Sequence, residues 1–220
     1  IILRAWTEET FSYTGTSWTY VDISCRPRPI QRPHPPIYYG AISHESAATV
    51  ARRGWNLALA RQPVENIVRT TRAYRAELAA LGNPAGYGDV VVSREIYVAD
   101  TDEQAWAEAS LELTRFWQLA CDNVWRHEPI TTDDLPRFTA HFPYFPGGLT
   151  LERIEEWGTS LIGSPETVAK KARALIEVTR PDSLVGIFSF GDLSHAQVVR
   201  SLELFSTRVI PALADESGGT

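Results

Sequence analysis

Segments that resemble β-strands alternate with segments that resemble helices along most of this 220-residue chain. The strand-like segments are residues 37–42, 55–60, 89–99 and 183–190, and the third is the clearest because β-branched residues dominate it. A helical segment follows each one. Alternation of this kind predicts a parallel sheet with helices packed over it. Four such strand–helix units fit either a small open sheet or half of an eight-stranded barrel.

Capping residues mark the expected helix starts. Thr101 and Gln104 form a capping box that opens a long helix reaching about Trp125. Ser164, as N-cap, and Pro165, at the first helical position, start another helix. Two more helices are expected, from Pro63 to Leu81 and from Ser194 to near Leu213.

The beginning of the sequence favours the half barrel over the open sheet. Residues 1–6 resemble the end of an amphipathic helix whose start is missing, and the sequence contains no methionine. We therefore expect a chain that begins in mid-fold, with residues 1–35 as a helix end and an extended lead-in. The whole of residues 1–220 is predicted to be one domain. Half of a barrel leaves two unpaired sheet edges and one uncovered face, so we expect this half not to stand alone.

The junction between residues 37–42 and the next helix is the main candidate binding site. Pro35 and Pro36 favour extended backbone before the strand, which ends in a turn carrying Ser43 and Ser46. A helix N-terminus offers free N–H groups and the positive end of a dipole, which suits an anion such as phosphate. Each serine is equally explained as an ordinary N-cap that satisfies its own helix.

Composition excludes several classes of partner. The net charge is −6 and the basic residues are dispersed, so neither a nucleic acid nor a membrane surface is expected as a partner. No apolar run approaches the roughly 20 residues of a membrane helix. The two cysteines, Cys25 and Cys121, lack any metal-ligand spacing, so we expect free thiols, no metal site and a cytoplasmic location.

Several short motifs occur in an order and at spacings typical of one family. The chain resembles the C-terminal half of the bacterial luciferase-like flavin monooxygenases, which are TIM-barrel proteins. The family's Val-Met-Pro motif is Val-Ile-Pro here. The matching segments are residues 6–15, 31–37, 47–54, 163–166, 190–193, 200–205 and 209–211.

This resemblance implies a flavin at the carboxyl ends of the strands, where barrel active sites lie. Reduced FMN would react with O2 and a small, apolar organic substrate. In the family, the turn after the fifth strand holds the flavin phosphate, and here that turn is Ser43, His44, Glu45 and Ser46. His44 and Glu45 would contribute backbone N–H groups rather than side chains. The resemblance also implies a homodimer and a separate flavin reductase.

Further candidates follow from position in the half barrel. Phe190 and Asp192 close the last strand and are expected near the flavin ring or the substrate, although Phe190 also suits the core and Asp192 suits a helix cap. Arg94 and Glu95 lie in mid-strand, where one of them would face the barrel interior, either as a structural ion pair or in catalysis. His34, between prolines, is expected to brace its loop.

The remaining candidates lie in residues 127–150, a proline- and aromatic-rich segment interpreted as the insertion that covers the pocket in this family. Its aromatic residues suit an apolar substrate and equally suit a subunit contact. The residues concerned are His141, Phe142, Tyr144 and Phe145.

Three alternatives to an FMN monooxygenase stay open. Some members of the family use a deazaflavin and transfer hydride without oxygen. A half barrel could also be a non-catalytic flavin-binding protein, since the family's acid–base groups mostly lie in its N-terminal half and no catalytic base is assigned here. An unrelated open-sheet protein would leave the ordered motifs unexplained.

Overall fold

The computed structural model describes residues 1–127 and 150–215, which divide into two compact units, Ile1–Tyr38 and Tyr39–Thr220. The first unit contains helix α1 (Ile2–Thr7) and an antiparallel hairpin of β1 (Phe11–Thr14) and β2 (Thr19–Ile23). The hairpin was not predicted, because residues 1–35 were interpreted as a helix end and an extended lead-in. One domain over residues 1–220 stays a prediction, since a division into compact units does not measure cooperative folding.

Strands and helices alternate through the second unit, as the sequence predicts. Strand β3 (Tyr38–Gly40) begins at the boundary between the units. The elements that follow are α2 (His44–Arg52), β4 (Asn56–Ala60), α3 (Val64–Ala80), β5 (Val90–Val98), α4 (Asp102–His127), α5 (Leu151–Trp157), β6 (Ser160–Gly163), α6 (Pro165–Thr179), β7 (Ser183–Ile187), α7 (His195–Leu204), a π-helical stretch (Phe205–Val209) and α8 (Ile210–Asp215).

Two of these elements, α5 and β6, were missed. Both are short, with seven and four residues, and β6 ends at the glycine that was interpreted only as the lead into the next helix. The predicted insertion at residues 127–150, with its histidine and aromatic candidates, lies almost wholly outside the described residues.

Strand β5 is the centre of the sheet. The strand order is β3-β4-β5-β6, and β7 also pairs with β5. Val91, Val92 and Ser93 pair with both β4 and β7, so these two strands lie on opposite edges of β5. Strand β6 pairs further along, from Glu95 to Val98. All three pairings are parallel, as a strand–helix repeat requires.

Helices cover one face of this sheet. Side chains alternate along a strand, and on β5 the even-numbered residues Val90, Val92, Ile96 and Val98 belong to the main core, in which α2, α3 and α6 also take part. The other face carries side chains that stay partly or fully exposed. We call it the open face, and it is formed by Ala58, Ala60, Val91, Ser93 and Val185.

A second core cluster lies beyond the open face, towards the carboxyl end of β5. Tyr97 follows Ser93 and Glu95 in the row of odd-numbered side chains, and it is buried among residues of α4, including Leu113 and Trp117. Glu95 therefore lies in this row between an uncovered part of the sheet and a covered one.

Candidate functional site

The turn after β3 places two hydroxyl groups side by side at the start of α2. Ser43 has extended backbone and caps the helix, because its Oγ accepts a hydrogen bond from the Ser46 N–H at 3.2 Å. The Oγ atoms of Ser43 and Ser46 are 2.9 Å apart, and either can donate to the other. One of the two hydroxyl protons is used in that contact, so the other is free to point at a ligand.

The backbone at this turn also suits an anion. The first intrahelical bond runs from the Ala47 N–H to the Ser43 carbonyl oxygen at 3.0 Å, so the amides of His44 and Glu45 precede it at the positive end of the helix dipole. The exposed side chains of His44 and Glu45 contact each other, with 2.8 Å between Nε2 and Oε1. These two side chains are thus engaged with each other at the surface.

A cavity of about 400 Å³ lies along α2 and reaches Ser46. The rings of Tyr39 and Trp55 stack at 5.7 Å on its wall, and the Arg53 guanidinium lies 4.9 Å from the centre of the Trp55 ring. Arg53 is seven residues beyond Ser46, or about 10 Å along a helix, so it is not part of the Ser43–Ser46 turn. The sequence analysis did not single out this cavity.

Buried polar groups connect the carboxyl ends of β3 and β4 with the middle of β5. The Gln62 side chain donates from Nε2 to the carbonyl oxygen of Ala41 at 2.9 Å, which joins the end of β4 to the end of β3. Arg94 donates from Nη2 to the Gln62 carbonyl oxygen at 3.0 Å and from Nη1 to the Ser93 carbonyl oxygen at 3.1 Å. Burial lowers the pKa of Arg94 to about 10, so it stays charged at neutral pH.

Glu95 is fully buried and is paired with Arg61 rather than with Arg94. Arg61 donates from Nε to Glu95 Oε1 at 3.1 Å. Within the described residues, the other carboxylate oxygen, Oε2, has no hydrogen-bond partner. Burial raises the pKa of Glu95, and the Glu95 backbone N–H together with the charges of Arg61 and Arg94 offsets only part of that rise. The sequence analysis named Glu95 but not Arg61, because their spacing gives no local signal.

The two predicted pocket residues after β7 lie in different surroundings. Phe190 is 3% exposed and packs in the core cluster around Tyr97. The Asp192 side chain is 85% exposed, with its Oδ2 3.5 Å from the Arg115 guanidinium. The Asp192 backbone N–H donates to Glu112 Oε2 at 2.6 Å. Their assignment to a pocket stays a prediction.

The remaining predicted features are outside this sheet. In the first unit, His34 Nδ1 lies 2.7 Å from the Pro35 carbonyl oxygen, and its ring contacts that of Trp6. Residues 1–127 and 150–215 contain no cluster of three or more side chains able to hold a metal ion. Over the same part of the chain, the helices are too short or too polar to cross a membrane.

Comparison with known proteins gives consistent results. A sequence profile of a family described as luciferase-like monooxygenase matches residues 1–180. An FMNH2-dependent dimethylsulfone monooxygenase from Pseudomonas putida is 25% identical over 96% of this chain and 55% of its own length. The chain thus spans about half the length of that curated relative.

Solved structures resemble the chain over nearly all of its length. A monooxygenase from Streptomyces bottropensis matches with a TM-score of 0.71 at 22% identity, over 97% of this chain and 59% of its own. The oxygenating constituent of a 3,6-diketocamphane monooxygenase from Pseudomonas putida, solved with FMN, matches with a TM-score of 0.64 at 21% identity. The match covers 97% of this chain and 61% of that structure's chain. A coenzyme F420-dependent secondary alcohol dehydrogenase matches with a TM-score of 0.66 at 13% identity. The match covers 96% of this chain and 58% of that structure's chain.

Proposed function

Because the chain belongs to the luciferase-like monooxygenase family, we propose that it forms part of a flavin-dependent monooxygenase that oxygenates a small, apolar organic substrate with reduced FMN and O2. The predicted family and fold class, the luciferase-like type of TIM barrel, are confirmed by the comparisons. The chain covers 59% and 61% of the first two matched structures, so it supplies part of such a barrel.

The observation that carries this proposal is the pair of hydroxyl groups at the start of α2. Ser43 and Ser46 lie after the carboxyl end of a sheet strand, at a helix N-terminus where two amides precede the first intrahelical bond. Active sites of TIM barrels lie at the carboxyl ends of the strands, and a helix N-terminus suits a phosphate. Backbone amides and hydroxyls bind a phosphate without a metal ion.

The rest of the site fits the other end of a flavin. Strands β3 and β5 are two strand spacings apart, which is about 10 Å, and an extended ribityl chain spans a comparable distance. The open face carries apolar side chains such as Val91 and Val185, which would line the barrel interior, and a ring system would lie at its carboxyl end. Bound flavin would supply the redox chemistry, while the chain's residues hold the phosphate, orient the ring and exclude water.

The phosphate assignment is tested by removing both hydroxyls. The double variant Ser43→Ala/Ser46→Ala should bind FMN on the order of 10- to 100-fold more weakly, because two hydrogen bonds to a charged group are lost. Binding of riboflavin, which lacks the phosphate, should change little. Binding is measured by anaerobic fluorescence titration of the full-length protein with each reduced flavin.

Ser164→Ala is the matched control. Ser164 caps α6 through the same hydroxyl-to-amide contact, with Oγ 3.3 Å from the Thr167 N–H, so its loss costs a similar helix cap. The control should leave both affinities unchanged. An equal loss for FMN and riboflavin in the double variant would contradict a phosphate contact.

A deazaflavin-dependent hydride-transfer enzyme is the second candidate. It is supported by the likeness to the coenzyme F420-dependent dehydrogenase, whose TM-score is close to that of the FMN-bound match. The similar dimethylsulfone monooxygenase is FMNH2-dependent, which favours FMN as the cofactor. Adding reduced deazaflavin to the same anaerobic titration separates the two, since the true cofactor should bind the more tightly.

The partners of the whole protein belong to the same proposal. A separate reductase would supply reduced FMN, and the protein would act as a homodimer in the cytoplasm. Sedimentation of the full-length protein tests the dimer. Turnover with and without an added NAD(P)H-dependent flavin reductase tests the source of reduced FMN.

A further inference from the structure

We propose that the Glu95 carboxyl is an acid–base group that exchanges a proton with flavin bound on the open face of the sheet, with Arg61 as its counter-ion. The inference rests on the proposed flavin site and adds a residue and a role to it. It depends on where Glu95 lies, on its unpartnered oxygen and on the charges around it.

The position of Glu95 follows from the pleat of β5. Ile96 belongs to the core under the helices, so the adjacent Glu95 points to the opposite side, in the same row as Val91 and Ser93. These two neighbours are partly exposed, whereas Glu95 is fully buried. The carboxyl therefore lies at the inner end of the open face, next to the surface proposed for the flavin ring.

One oxygen of this carboxyl is buried without a hydrogen-bond partner among the described residues. Oε1 is bonded to Arg61, and in the part of the chain that the structure describes Oε2 has no partner. A buried polar atom without a partner is costly, so such atoms in native proteins are usually paired with water or a ligand. A ring nitrogen or oxygen of the flavin would satisfy Oε2.

Arg61 covers the carboxyl from a position that permits movement. Its side chain is 43% exposed and lies over the ring of Phe116 on α4, with 4.9 Å from the guanidinium carbon to the ring centre. Its backbone is in the left-handed region, with φ of 57°, which costs a non-glycine residue energy and fixes where the side chain starts. Among the described contacts, a single hydrogen bond joins the Arg61 side chain to Glu95, from Nε to Oε1.

The charges that act on Glu95 are few. Arg61 and Arg94 are the cations that favour its ionised form, and burial opposes them. The residues in register with it on the flanking strands, Ser160 and Ile187, are uncharged.

The charged groups on α4 next to Phe116 are engaged elsewhere. Glu112 accepts from Arg115 at 3.0 Å, and both contact Asp192. The protonation of Glu95 therefore depends on its burial, on its own backbone N–H and on the two arginines, Arg61 and Arg94.

The proposed step is a simple proton transfer. Glu95 would give up the proton on Oε2 to a basic atom of a bound flavin ring, and Arg61 would stabilise the carboxylate that remains. No oxidant or reductant is consumed. An anionic reduced ring beside a carboxylate would be unfavourable, so binding such a ring should draw a proton from solvent onto Glu95.

Two measurements test this inference. The first follows the ¹³C carboxyl signal of Glu95, assigned by its absence in Glu95→Gln, through a pH titration of the ligand-free full-length protein. We expect a midpoint above the ordinary value of about 4.3 and a further rise in Arg61→Ala. A midpoint at the ordinary value, unmoved by Arg61→Ala, would overturn the inference.

The second measures proton uptake when reduced FMN binds anaerobically, by calorimetry in buffers of different ionisation enthalpy. The wild type should take up more protons than Glu95→Gln, by up to about one per site. Glu108→Gln is the matched control, since Glu108 is also paired with an arginine but both of its oxygens have partners. It should behave as the wild type does.

The outcomes separate this inference from the proposed function. Equal proton uptake by wild type and Glu95→Gln, with FMN bound by both, overturns the role of Glu95 and leaves the flavin site standing. Failure of FMN to bind to the wild type removes the proposed function and overturns this inference with it, because the proton exchange then has no flavin partner.

Discussion

At the scale of single residues, two glutamates that pair with arginines differ in the hydrogen-bond partners of their carboxylate oxygens. Glu95 has one partner and is fully buried, and burial raises its pKa. Burial also acts on Glu108, but hydrogen bonds from Tyr97 and Gln104 and the charge of Arg200 outweigh it and lower the pKa of Glu108. The same carboxyl group is therefore expected to act as an acid at one position and as a fixed anion at the other.

This difference predicts opposite effects on stability. A raised folded-state pKa means that the folded protein holds a proton that the unfolded chain releases, so the contribution of Glu95 to stability falls as pH rises above about 4. We expect Glu95→Gln to gain stability relative to wild type between pH 4 and 7. The measurement is the unfolding midpoint in denaturant across this range.

Glu108→Gln should show the reverse. A lowered folded-state pKa gives stability that is present above the unfolded value of about 4.3 and lost as pH falls through the folded value. The variant should therefore be less stable than wild type at pH 7, with the gap closing in acid. If the unfolding midpoints of the two variants, relative to wild type, changed with pH in the same direction, the contrast between Glu95 and Glu108 would be contradicted.

At the scale of elements, Asp102 joins the starts of two helices. It lies in the first turn of α4 and accepts hydrogen bonds from the Ser164 backbone N–H at 2.6 Å and from Thr167 Oγ1 at 2.8 Å, at the start of α6. The backbone of Gly163 has a φ of 151°, and a Cβ there would lie 2.7 Å from Asp102 Oδ1. The glycine is therefore required for this approach.

Removing this link should weaken the start of α6. Asp102→Ala is expected to lower the free energy of unfolding by about 1 kcal/mol, as for the loss of a helix cap. Asp102→Asn keeps an oxygen acceptor and should lose less. Chemical denaturation at pH 7 compares the two, and an equal loss would show that charge rather than hydrogen bonding matters.

Local signals explain which elements could be predicted from sequence. The capping residues Thr101, Ser164 and Ser194 each accept the predicted amide contact, so the starts of α4, α6 and α7 were predicted correctly. Strand β6 was missed because four residues are too few for a periodicity to emerge.

The candidate site was only partly predictable for a related reason. The Ser43–Ser46 contact is local, and its geometry follows from a strand that ends in a helix cap. The pairing of Arg61 with Glu95 joins residues 34 positions apart, and it depends on the register of β4 against β5. Single-sequence patterns carry no information about such a pair.

At the scale of the whole molecule, stability should concentrate in the middle of the sheet. Strand β5 is hydrogen-bonded on both edges, and its even-numbered side chains lie in the main core. Its Val98 N–H also donates to the buried Ser201 Oγ at 2.9 Å. Strand β3 has only three residues, so few ladder hydrogen bonds hold it.

Amide hydrogen exchange should follow this arrangement. We expect the amides of β5 to exchange only by global unfolding, and those of β3 to exchange through smaller, local openings. The measurement is exchange by mass spectrometry on the full-length protein. Equal protection of β3 and β5 would contradict the central place given to β5.

The pleat of β5 also separates two kinds of constraint along one strand. Val92 and Ile96 fill the core, so changes in their volume would disturb packing against the helices. Val91 and Ser93 point the other way, where a change of side chain alters what a ligand meets but leaves that core intact. New substrate preferences could thus arise by exchanging alternate residues of a single strand, without the cost of repacking the fold.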